Sequence, residues 1–125
     1  MFGIDAIEAV IRESYPEVEK DGDGLIFCAD ERAVCVRPVG SEHVILFAQV
    51  RELEGCLDEQ ETAELAFETL ETTDELLEKG PFSLAVDRTR QFMHIQWLFD
   101  CALDGEAAFR AWLPQFVACA KIRDC

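Results

Sequence analysis

The side chains able to do acid–base, nucleophilic or metal chemistry are two histidines, six cysteines at 28, 35, 56, 101, 119 and 125, and 26 carboxylates. A general base needs a positioned partner. His43 and His94 instead stand among apolar neighbours, in the runs His43-Val44-Ile45-Leu46 and Met93-His94-Ile95. That setting suits a packed or edge residue rather than a base. No Cys-x-x-Cys occurs, and two histidines with scattered cysteines give no zinc spacing. Cys28 and Cys35 fall inside apolar runs and read as buried free thiols, whereas Cys125 reads as exposed. Asp21-x-Asp23 opens like a calcium loop, but Leu25 and Arg32 stand where oxygen ligands are required. Phosphate-binding glycine loops, dinucleotide fingerprints and Gly-x-Ser-x-Gly elbows do not occur. The residues point away from catalysis, and no cofactor or metal is expected.

Charge narrows the partners. The formal net charge is −15, from 26 acidic against 11 basic residues. Such a field repels nucleic acid and anionic membrane surfaces. No stretch approaches the apolar length of a membrane span, so no membrane insertion is expected. The opening Met1-Phe2-Gly3-Ile4-Asp5 lacks a basic segment followed by an apolar one, which predicts a cytoplasmic chain. Residues 52–78 hold 11 acids and no base. They read as a solvated helix face or as a negative surface that meets a basic segment of a partner.

The elements follow from periodicity. A length of 125 residues, half of them apolar and nine of them Phe, fits a single domain over 1–125 with an adequate core. Ile4, Ile7, Ile11 and Tyr15 recur at helical spacing and predict a helix over 3–15, ended by Pro16. Asp21-Gly22-Asp23-Gly24 reads as a turn. Strands are predicted over 24–29, 32–38 and 42–50, joined by short hairpin connections. A second helix is predicted over 58–72, with Ala63, Ala66, Phe67 and Leu70 as its buried stripe. A last turn through Leu76-Leu77 precedes the Gly80-Pro81 stop. Strands over 82–87 and 90–99 follow, then a helix over 105–121 that Pro114 should kink or divide. The order α-β-β-β-α-β-β-α, with short connections, predicts an α+β fold: a twisted antiparallel sheet with three helices.

The strands are apolar on both faces. In 42–50, Val44, Leu46, Ala48 and Val50 face one way, and Ile45 and Phe47 the other. In 90–99, Met93, Ile95, Trp97 and Phe99 oppose Phe92 and Leu98, with His94 and Gln96 between the latter. Three helices can hardly cover both faces of a five-stranded sheet, so apolar surface is left for a partner.

These features resemble the type III secretion chaperones of the Tir-chaperone (CesT-like) family. The resemblance lies in Asp23-Gly24-Leu25-Ile26-Phe27 entering the first strand, Ala66-Phe67-Glu68-Thr69-Leu70 before a loop, and Gly80-Pro81-Phe82-Ser83-Leu84-Ala85-Val86-Asp87. It continues in Leu103-Asp104 and the aromatic helix carrying Phe109, Trp112 and Phe116. The resemblance implies a homodimer that binds the extended N-terminal segment of a secreted effector protein and needs no cofactor. It implies a dimer contact through Leu65, Thr69 and Thr72 of the second helix and Phe92, His94, Gln96 and Leu98 of the last strand. The implied client surface uses Ile7, Ile11, Leu25, Phe27, Val34, Val36 and Phe47. Two other readings stand beside it: a regulatory or complex-stabilising interaction module of the same architecture, and a small thiol-dependent enzyme.

Overall fold

A computed structural model describes residues 2–29, 31–52, 64, 71, 74–87 and 92–122. The chain begins with helix α1 (Ile4–Ser14), whose Ile7 and Ile11 are fully buried. The Tyr15 amide donates to the Ile11 carbonyl at 2.8 Å, and Pro16 allows no further turn. Six strands follow: β1 (Glu19–Asp21), β2 (Gly24–Ala29), β3 (Arg32–Val39), β4 (His43–Glu52), β5 (Phe82–Asp87) and β6 (Phe92–Asp100). A long helix, α2 (Glu106–Ile122), comes last. The strands form one antiparallel sheet in the order β1-β2-β3-β4-β6-β5.

The α+β architecture expected from the sequence is the one observed, with one strand more. Residues 19–21, of which the sequence reading placed only Asp21, in the turn, pair with Gly24–Ile26 as β1. All three are charged and exposed, so no apolar period marks them. Arg37 holds this strand from β3, donating to the Asp21 carboxylate and to the Asp21 carbonyl, each at 2.6 Å. Gly22 closes the β1–β2 turn with φ of +64°, and a Cβ on Gly24 would strike the Val36 carbonyl oxygen. Helical backbone also occurs at Glu64, Glu71 and 74–77. The predicted helix over 58–72, with its stripe Ala63, Ala66, Phe67 and Leu70, otherwise lies outside the described residues.

Helices α1 and α2 lie on one face of the sheet. Trp97, at the centre of β6, is fully buried there. It stacks on Phe109 of α2 at 5.1 Å and meets Phe82, Phe99 and Trp112 edge-on. Its Nε1 is buried without a hydrogen-bond partner among the described residues, so ring packing holds it in position. Of the two expectations at Pro114, a kink or a division, the division does not occur, because α2 runs through it. Pro114 removes one helical amide, leaving the Arg110 carbonyl without that bond, but both residues are exposed and water can serve the carbonyl. Arg110 also ties α2 to α1, with its guanidinium 2.6 Å from Glu13 and 3.2 Å from Glu106.

Candidate protein-interaction surfaces

Alternation along the strands builds two unlike faces. Opposite the helices, the register aligns Ile26, Cys35, Phe47, Gln96 and Ser83 in one row across β2, β3, β4, β6 and β5. Arg37, Ile45 and Leu98 form the row on one side of it, and Gln49, His94 and Ala85 the row on the other. These residues are half-buried or exposed, and Leu98 is 53% exposed. Phe47 and His94 place their rings 6.0 Å apart at 33°. Among the described side chains of β3 to β6, this face carries one cation, Arg37, and reaches a carboxylate only at its end, at Asp100. In a chain of net charge −15 that is an unusual distribution.

His94, Gln96 and Leu98, expected at a dimer contact, lie together on this open face. Phe92 sits in β6 opposite Glu52 and Asp87 in the ladders. Leu65, Thr69 and Thr72 lie outside the described residues. The expected client surface requires a correction in placement. Ile7, Ile11, Leu25, Phe27, Val34 and Val36 are at most 2% exposed and form the core beneath the helices. Of the seven, only Phe47 reaches the open face. The register puts Phe47 on the face opposite Leu25, Phe27, Val34 and Val36, which the helices cover.

A second surface was not anticipated. β1 pairs with β2 only through Ile26, whereas β2 continues to Ala29. Beyond that point the chain between α1 and β1 turns away, leaving an open groove. Its walls are Tyr15, Pro16, Glu17, Val18 and Glu19 on one side and Ile26, Phe27 and Cys28 on the other. The Tyr15 and Phe27 rings lie 4.8 Å apart at its floor. Arg12 fixes the turn that forms it, donating to the carbonyls of Pro16 at 3.2 Å and Val18 at 3.4 Å while pairing with Glu8 at 2.7 Å. The only sequence signal was Pro16, which was read as a helix stop alone.

The groups with chemical potential are placed as follows. Cys28 is exposed and Cys35 half-buried, both on the open face, which corrects their reading as buried thiols; among the described cysteines, Cys101 and Cys119 are buried. Burial raises the Cys35 thiol above its ordinary range, with Arg37 opposing, and burial also raises Cys101. A nucleophilic thiolate needs the opposite shift. His43 Nε2 is 3.4 Å from the Asp100 carboxylate, which also accepts from the amides of Leu103 at 3.0 Å and Ala102 at 2.9 Å. The Leu103 amide chiefly, then Ala102 and His43, hold Asp100 below the usual carboxylate range against its partial desolvation. This cluster fixes the chain between β6 and α2. Among the described residues there is no group of three potential metal ligands, and no helix is long and apolar enough to cross a membrane.

No protein-family model matches the sequence, and no curated protein matches it. Among solved structures, the fold is similar to a chain in the crystal structure of the ExsC–ExsE complex, with a TM-score of 0.68 over 99% of this chain and 95% of that one. The two sequences are 13% identical. The chain thus shares the fold of that chain, α+β with a six-stranded antiparallel sheet and helices.

Proposed function

We propose that this chain is a type III secretion chaperone that works as a cytoplasmic homodimer and holds the extended N-terminal region of a secreted effector. The observation that carries the reading is the sheet face that bears no helix among the described residues. It presents Ile45, Phe47 and Leu98 to solvent within a fold similar to a component of a two-protein complex. Apolar side chains left together at a surface favour association. The near absence of carboxylates there lets two acidic copies approach, and a two-fold contact must complement itself. His94, Gln96 and Leu98 belong to this contact.

Light scattering coupled to size exclusion tests the first half, with a mass of two chains expected at micromolar concentration. A monomer would remove the homodimer. Co-expression with candidate effectors tests the second half. The expected result is capture through an N-terminal segment that stays protease-sensitive outside the covered stretch. Capture only of a folded partner would instead favour a regulatory or complex-stabilising module of the same fold.

A further inference from the structure

We propose that the open face is a pH-sensitive contact, on which protonation of His94, and to a lesser degree of His43, separates two copies of the chain in mild acid. This inference rests on the homodimer reading and adds how that contact is regulated. The chain has two histidines, and both lie on the open face. In β4, His43 stands opposite Val39 of β3 and Asp100 of β6. In β6, His94 stands opposite Gln49 of β4 and Ala85 of β5. Histidine is the side chain that ordinarily changes charge between about pH 5 and 8. Carboxylates titrate lower, so the long-range repulsion between two acidic copies changes little over that interval. The response to mild acid is thereby concentrated on the one surface that would meet a second copy.

At neutral pH the described charges of this face are matched. Arg37 is paired with the Asp21 carboxylate at 2.6 Å. Asp100 accepts from two backbone amides and lies 3.4 Å from His43. The other titratable side chains described there are the thiols of Cys28 and Cys35. Acid adds a positive charge at each histidine. On His43 that charge meets Asp100 of its own copy, which offsets it. On His94 the charge forms 6.0 Å from the Phe47 ring, with Gln49 and Ala85 on either side. His94 is half-buried, so water reaches the ring in a separated copy, and a second copy laid over the face displaces that water. A two-fold contact gives both copies the same new charge on the same surface. Like charges in a contact oppose association. The separated copies therefore bind more protons than the pair, and acid favours separation. The contact is strongest above the histidine range and weakens as pH falls through it.

Light scattering over a dilution series of the full chain should give a dimer dissociation constant about tenfold larger at about pH 5.5 than at about pH 7.5. Far-UV circular dichroism should be the same at both. His94→Gln should remove most of that pH dependence, and His43→Gln a smaller part. Should His94→Gln already be monomeric at neutral pH, dilution calorimetry of the parent decides. Run between those two pH values in two buffers of different ionisation enthalpy, it should show proton uptake on dissociation. A dissociation constant equal at both pH values, loss of the fold at the lower one, full pH dependence retained in His94→Gln, or no proton uptake would each overturn the proposal. A dimer indifferent to pH leaves the homodimer standing and ends this inference alone. A monomer at both pH values ends the homodimer reading and this inference with it.

Discussion

The two faces of one sheet are built from the same strands and meet different fates. On the helix side, Leu46, Ile95, Trp97 and Phe99 are excluded from water. One residue away along the same strands, Ile45, Phe47, Gln96 and Leu98 are left half-buried or exposed. The difference is the presence of helices rather than hydrophobicity. Burial of a large apolar side chain contributes roughly 1.5–3 kcal/mol, and only one face has helices among the described residues to supply it. The other face keeps apolar side chains with no helix over them among the described residues.

The sharpest break of this comparison is at Trp97. Trp97→Ala should cost about 3–5 kcal/mol of stability in chemical denaturation, because it empties the centre of the aromatic cluster. Trp97→Phe should cost less, since no hydrogen bond of the indole is lost. The adjacent Leu98→Ala, measured where the chain is monomeric, should fall within about 0.5 kcal/mol of the parent. Equal losses at 97 and 98 would erase the distinction between the faces.

A second pair of neighbours separates folding from association. Leu46→Asp should abolish cooperative unfolding, because it buries an unpaired charge. Phe47→Asp should keep the fold by circular dichroism yet move the proposed dimer to monomer in light scattering. A folded Leu46→Asp variant, or an undisturbed dimer in Phe47→Asp, would count against the assignment of the two faces.

Smaller effects sharpen the frame that carries both faces. Glu31 sits in the β2–β3 turn with φ of 67°, a conformation costly for a side-chain-bearing residue. Glu31→Gly should therefore stabilise by about 0.5–1 kcal/mol, and Glu31→Val should destabilise. The smallest effect concerns acid. The carboxyl of Asp100 is held below its unfolded range, so its contribution is present above the ordinary aspartate pKa and fades as pH falls through the folded value. Asp100→Asn should flatten that part of the pH–stability curve, measured by thermal melts between neutrality and strong acid. An unchanged acid limb would remove Asp100 from the account.

Much of this frame was legible in the sequence. The alternation in 42–50 and 90–99 divided Leu46 from Phe47 and Trp97 from Leu98 correctly, because a strand has a period of two. Parity yields two sets of residues, however, and does not say which set the helices cover. In β2 and β3 both sets are apolar, so Leu25, Phe27, Val34 and Val36 were assigned to a surface when they are core. The same ambiguity turned Cys28 and Cys35 the wrong way. β1 was invisible because Glu19-Lys20-Asp21 has no apolar member, and the groove was invisible because it depends on where β1 stops pairing. Pro114 does not divide its helix: local propensity weakens one there, but Phe109, Leu113 and Phe116 hold this one together from the buried side.

The short charged strand at the sheet margin bears on how the molecule behaves while it waits for a partner. An exposed edge is a template on which one chain can stack upon the next, and fibres grow from edges that are long, flat and apolar. β1 offers three residues, all charged and exposed, clamped from behind by Arg37. At that margin β1 offers a poor template, and only the short β2 edge from Phe27 to Ala29 lies beyond it. A sheet margin of this kind resists edge-to-edge stacking of one copy on the next.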